Sequence, residues 1–218
     1  MKRALCCFLL MVCLQAFGQK TINKKLKHQL DSIIILDQKY RDTLMQLTLP
    51  AQQGLLARSL KMSIAQAEKY YWKLQGRLDS LNVVFVEKLL VKYGYPGKSL
   101  VGSPANESAW FIIQHAPKIS KYLPVIKRAA VQGELPFRLY AMMLDRYLMD
   151  ENKEQIYGSQ GAYRTLKNGK TEWIIWPVKD AGHVNARRKA AGFDNTVEYN
   201  ASSLQIYYRK VSLKEVIL

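Results

Sequence analysis

Between residues 63 and 93 one apolar stripe runs unbroken. Ile64, Tyr71, Leu74, Leu78, Leu81, Phe85 and Leu89 recur at spacings of three, four or seven residues, the period of one helix face. A stripe this long cannot lie on a strand, and it fixes a long amphipathic helix as the largest element. Leu26, Leu30, Ile33, Ile34, Tyr40, Leu44 and Leu47 repeat the period over 23–47, ahead of Pro50. Two such helices, close in sequence, predict an antiparallel helical hairpin over residues 22–93.

The break GYPGKSLVGSPAN follows at 94–106, and Ser103-Pro104 reads as an N-cap and first turn. Helices are expected over 107–116, 119–132 and 136–150, bounded by Pro117 and Gly133. The period then changes. Residues 155–166 and 171–178 are rich in Tyr, Trp, Ile and Thr, and Asn168-Gly169 between them signals a β-hairpin turn. A short helix over 183–191 ends at Gly192, and the tail after residue 200 fits either a strand or a helix. The fold class predicted is mainly α (α+β): a bundle of five to six helices with one β-hairpin near the C-terminus. One domain is expected over 19–218, divided into the hairpin at 22–93, a helical core at 94–154, the β-hairpin at 155–178 and a C-terminal helix and tail at 179–218.

The first eighteen residues stand apart. Lys2 and Arg3 precede an apolar run from Ala4 to Phe17, and Ala16-Phe17-Gly18 offers small residues where a signal peptidase reads. Fourteen apolar residues fall short of the roughly 20 that span a bilayer. Val12 before Cys13 is too large for a lipidation site. The expectation is a cleaved leader over 1–18 and a periplasmic or secreted protein. Cys6, Cys7 and Cys13 all lie in that leader, so the remainder can form no disulfide, thiolate nucleophile or cysteine metal site. Stability has to come from a packed core. Without Lys2 and Arg3, 31 Lys and Arg face 17 Asp and Glu, a net charge of +14. Outside the cytoplasm this balance points to a solvated surface or an anionic envelope partner, the membrane surface included, rather than nucleic acid.

Polar residues interrupt the apolar faces at a few places. AWFIIQHA (109–116) is apolar except for Gln114 and His115, and His115 falls in the last turn, where the helix dipole would raise its basicity. LYAMMLDRYLM (139–149) carries one adjacent charged pair, Asp145 and Arg146. Asp37 sits on the stripe of the first helix with Arg41 one turn on. Buried polar groups need partners whatever their purpose, so each is as readily structural as functional. Convergence in one cleft would favour a site.

These positions belong to an ordered series. DQxYR at 37–41, DxxN at 79–82, GYP, VG, QHA at 114–116, GE, DR at 145–146, QxYGSQ at 155–160 and RRxxxGF at 187–193 closely resemble a bacterial family catalogued as a domain of unknown function, common in Bacteroidetes and Actinobacteria. The resemblance spans residues 26 to 193. It implies importance for Asp37, Gln38, Arg41, Asp79, Asn82, Gln114, His115, Glu134, Asp145, Arg146, Gln155, Tyr157, Gly158, Gln160 and Arg188, without supplying an activity. Ser159 stands where that family more often has Thr, which fits a hydrogen-bonding hydroxyl rather than a nucleophile. Pro117 stands where it usually has Asp.

Established chemistries fit poorly. A nucleophile elbow needs glycine two residues before Ser159, and Tyr157 is there. A phosphate loop needs a longer glycine run and a lysine opening a helix. His28, His115 and His183 have no metal spacing, so no metal site or cofactor is expected, and no loop signature supports a carboxylate site for Mg²⁺ or Ca²⁺ through Asp37 and Asp145. The leading expectation is a pocket between helices in which Asp37, Gln38, Arg41, Gln114, Tyr157, Gln160 and Arg188 bind a polar or anionic ligand, such as an envelope glycan or peptide. One alternative is an envelope hydrolase with His115 as general acid or base, Asp145 or Glu134 orienting it and Arg146 stabilising charge. The other is a buried polar network without ligand.

Overall fold

The computed structural model describes residues 21–218; the leader expected over 1–18 lies outside them. Helix α1 (Lys24–Gln38) starts at Asn23, whose side chain accepts from Leu26 N, and buries Leu26, Leu30 and Ile33. The expected first helix is broken. The chain turns at Lys39–Tyr40 and restarts as α2 (Arg41–Thr48), followed by α3 (Pro50–Ser59), which apolar spacing did not announce. Helix α4 (Ile64–Tyr93) opens with a reciprocal capping box between Ser63 and Gln66 and runs for 30 residues. It lies antiparallel to α1: Gln75 meets the C-terminal end of α1 at Asp37, while Phe85, Leu89 and Lys92 lie beside Lys25 and Leu26.

Short α5 (Lys98–Val101) leads to α6 (Ala105–Ile113), where Pro104 holds the N-cap position with no side-chain cap bond, so Ser103 does not cap it. A 3₁₀ turn at 119–121 precedes α7 (Leu123–Val131), and Gly133, at φ +72°, turns the chain into α8 (Phe137–Asp150). Leu30, Val86, Ala109, Ile113, Ile126 and Leu139 are wholly or almost wholly buried in one core shared by α1, α4, α6, α7 and α8. Each large side chain in it contributes on the order of 1.5–3 kcal/mol.

Strands β1 (Gly161–Thr165) and β2 (Thr171–Ile175) pair antiparallel with Ala162 opposite Ile174, and Gly169 takes the left-handed turn conformation. The hairpin is shorter than predicted because residues 155–160 are drawn into a loop. Period-two alternation gives it two apolar faces. Ala162, Ile174 and Trp176 pack with Val211 and Val216, while Ile175 packs with Val178, Val184, Val197, Ala201 and Ile206. The last two residues of that second face belong to α10 (Val197–Ser203) and the tail. Helix α9 (Val184–Ala190) ends before Gly192 at φ +81°, as its sequence predicted. Among the described residues the chain is mainly α with this one hairpin near its C-terminus, the predicted class.

Candidate functional site

The loop between α8 and β1, residues 155–160, is built around a carboxylate. Asp145 is fully buried on α8. Its Oδ1 accepts from Ile156 N at 2.7 Å and Tyr157 N at 3.0 Å, and its Oδ2 accepts from Ser159 N at 2.9 Å. Burial pushes this carboxyl up in pKa, against the pull of those amides. The carbonyls are held as firmly. Arg187 donates to Ile156 O, Arg188 to Tyr157 O, and Asn200 to Gly158 O. Gln155 spans the loop, accepting from Gln160 N and donating to Gln160 O and Trp176 O. Gly158 is obligatory, since at φ +66° an added Cβ would stand 2.6 Å from Val197 Cγ2.

Arg146, one residue on, points about 100° round the helix to a different environment. Its Nη1 donates to Gln114 O at 3.0 Å and its Nε to Gln160 Oε1 at 3.4 Å. Both acceptors are neutral, and no carboxylate pairs with Arg146 among the described residues. Burial lowers the guanidinium's pKa, with Asp150 acting against that shift, yet the group stays charged. It lines a cleft of about 400 Å³ with Met142, Ser159, Gln160, Trp173, Asn200 and Leu204. Behind it, Trp110, Gln114, Met143 and Gln160 enclose a void of about 10 Å³, the size limit for one water molecule. The indole Nε1–H of Trp110, one of the residues lining this void, is buried without a partner among the described residues.

A second polar cluster joins α1, α2 and α4. Asp37 Oδ2 accepts from Gln38 Nε2 at 2.7 Å and from Arg41 Nε at 3.4 Å. Arg41 Nη2 donates to Asp79 Oδ1 at 2.7 Å, and Gln75 Nε2 donates to the same oxygen and to Asp37 O. Burial raises the Asp37 pKa, opposed chiefly by Arg41. Asp37 Oδ1, Gln75 Oε1 and Asn82 Nδ2 are buried with no hydrogen-bond partner among the described residues. Gln75, Asp79 and Asn82 share one face of α4 by spacing.

His115 stands between the two clusters. Helix α6 ends at Ile113, so Gln114 and His115 form a turn rather than a last helical turn. Its pKa is lowered to about 4, first by burial and then by Arg41 and Arg146, with Asp79 opposing. The expected dipole-raised basicity is therefore reversed, and the imidazole is neutral at pH 7.

The predicted residues thus separate. Gln114, Arg146 and Gln160 come together at the cleft. Asp37, Gln38, Arg41 and Asp79 form the other cluster, and His115 is under the electrostatic influence of Arg41, Asp79 and Arg146. Tyr157 turns away to stack on Phe193, with ring centroids 6.1 Å apart. Arg188, buried, lies 4.3 Å from the centre of the Phe193 ring and donates to Asn195 O, so it does not line the cleft. Asp145 serves the loop and makes no bond to His115. Glu134 is remote as well, its Oε2 accepting from Ser99 N. That glutamate borders a larger cavity of about 540 Å³ beside Tyr93 and Arg128, but Arg128 is exposed, so volume there is not matched by a desolvated charge. Among the described residues no three His, Cys, Asp or Glu side chains group to hold a metal ion.

Three site residues escaped the sequence reading. Gln75 lies one turn before Asp79 on the inward face of α4, a signal that was present. The unpaired indole of Trp110 and the reach of Asn200 left none.

Among the described residues, a half-buried guanidinium in a cleft between helix and hairpin lies beside a carboxylate-guanidinium cluster in a mainly helical chain. Residues 66–212 match the family described as Family of unknown function (DUF6624), and the chain belongs to it. No curated protein and no solved structure matches the chain. The matched span holds Asp79, Asn82, Gln114, His115, Asp145, Arg146 and Gln160, while Asp37, Gln38 and Arg41 precede it.

Proposed function

We propose that the protein binds a small polar or anionic ligand in the cleft between α8, the hairpin and α10. The observation that carries this reading is the half-buried Arg146 guanidinium, which meets only neutral oxygens. Desolvating a cation with no carboxylate in direct contact is costly, Asp150 acting on it only from beyond ion-pair distance, and an incoming carboxylate or phosphate oxygen relieves that cost. Ser159 and Gln160 add hydrogen-bonding groups, and Trp173, Met142 and Leu204 supply apolar walls for an attached sugar ring or hydrocarbon. With the leader over 1–18 acting as a secretion signal, envelope-derived anionic oligosaccharides and acidic peptides are the ligands to try first.

Hydrolysis through His115 draws less support, because Asp145 is occupied by loop amides and Glu134 by Ser99. A purely structural network accounts for Asp145, Gln155 and Arg188 but leaves Arg146 unexplained. The test is calorimetric titration of wild type and Arg146→Gln with anionic oligosaccharides and acidic peptides. Binding should weaken at least tenfold in the variant and fall with added salt, while its stability shifts by less than about 1 kcal/mol. Equal binding by both proteins, or silence across the panel, would sink the reading.

A further inference from the structure

The two polar clusters face inward; the outer face of α4 carries a different pattern. Positions 70, 73, 77, 81, 84, 88 and 91 are three or four residues apart and form one stripe along the helix. Lys73, Arg77 and Lys88 on it, with Lys69 at its margin, are exposed, and none of the four forms an ion pair among the described residues. Between them stand Leu81, Val84 and Val91, exposed to 60%, 49% and 89%. The three acidic residues of α4 do not balance these charges. Asp79 is turned inward to Arg41 and Gln75, Glu87 pairs with Lys121, and Glu68 is half-buried on the opposite side.

We infer that this face of α4 is a docking surface for an anionic lipid bilayer. The cations fit the charge of phosphate headgroups, and the aliphatic side chains between them fit the shallow apolar boundary beneath those headgroups. A soluble polyanion would use the lysines and arginine but has no use for Leu81, Val84 and Val91. Tyr70 lies on the stripe, exposed and suited to the headgroup level. The contact is peripheral, since no helix among the described residues is long and apolar enough to cross a membrane. This inference rests on α4 alone and stands apart from the cleft at Arg146.

The test is vesicle cosedimentation of the full chain in three forms: wild type, Lys69→Gln/Lys73→Gln/Arg77→Gln/Lys88→Gln, and Leu81→Gln/Val84→Gln/Val91→Gln. All the substituted side chains are exposed, and a thermal melt of each form checks that the fold is kept. Wild type should bind phosphatidylglycerol-containing vesicles at least tenfold more tightly than pure phosphatidylcholine, with a steep loss on adding salt. The charge variant should lose that preference. The apolar variant should bind the same anionic vesicles several-fold more weakly while binding soluble dextran sulfate like wild type. Vesicle binding by either variant at the wild-type level overturns the inference. Tight dextran sulfate binding with an unaffected apolar variant would instead assign the face to a soluble polyanion.

Discussion

Asp145 and Arg146 are neighbours on one helix and belong to opposite regimes. Around Asp145 the amides of Ile156, Tyr157, Ser159 and Gln160 and the carbonyls of Ile156, Tyr157, Gly158 and Gln160 each have a partner, from Asp145, Gln155, Arg187, Arg188 or Asn200. Around Arg146 and the Asp37 cluster, Asp37 Oδ1, Gln75 Oε1, Asn82 Nδ2 and Trp110 Nε1 are buried and unpaired among the described residues. A closed network sets shape, because every member is already committed. An open one retains interaction capacity, because desolvated donors and acceptors gain from any partner that arrives. Burial of a charge alone does not mark a site; incomplete satisfaction does.

Four measurements can break or sharpen this contrast. Asp145→Asn sets an amide NH₂ against backbone N–H groups and should cost about 3–5 kcal/mol in urea denaturation, near the range for breaking a buried charge network. A loss below about 1 kcal/mol would mean that the cage is not closed. Gly158→Ala, forced to φ +66° against Val197, should cost about 2–4 kcal/mol on the same scale. The open region should instead respond to pH. His115 has a folded pKa near 4 against an ordinary 6.5, so folding favours its neutral form. That contribution is present above pH 6.5 and is lost as pH falls through 4. Wild type should lose about 1–3 kcal/mol across that window, and His115→Gln should flatten the curve. Smallest of all should be Asp37→Asn, at less than about 1 kcal/mol, since burial already disfavours the charge and one oxygen has no donor. A large loss there would move Asp37 into the closed regime.

The helices were legible where punctuation accompanied the period. Pro117, Gly133, Asn168-Gly169 and Gly192 each mark a boundary that the fold keeps. The break at Lys39–Tyr40 was not legible, because Leu44 and Leu47 continue the apolar spacing of α1 with no proline or glycine to interrupt it. Helix α10 resolves the start of the tail, open between strand and helix in the sequence, and begins three residues earlier at Val197, where Thr196 caps it through Tyr199 N. At the site, residue types on apolar faces located the polar groups correctly but could not sort them. Asp145 and Arg146 look alike in sequence, and only the backbone of a loop ten residues further on separates scaffold from cleft. The lowered basicity of His115 is illegible in sequence for a related reason. Where α6 stops, and which two guanidinium groups approach from α2 and α8, are tertiary facts.

One bond at the cleft has a further consequence. Arg146 donates to Gln114 O, a carbonyl left free by the ending of α6, so the site already contains an internal competitor for its cation. A ligand gains only the difference between its own oxygen and that carbonyl. By drawing Arg146 away it also loosens the turn that carries His115. On the proposed reading, a ligand in the cleft should therefore speed amide exchange at residues 114–116 without any change in the fold.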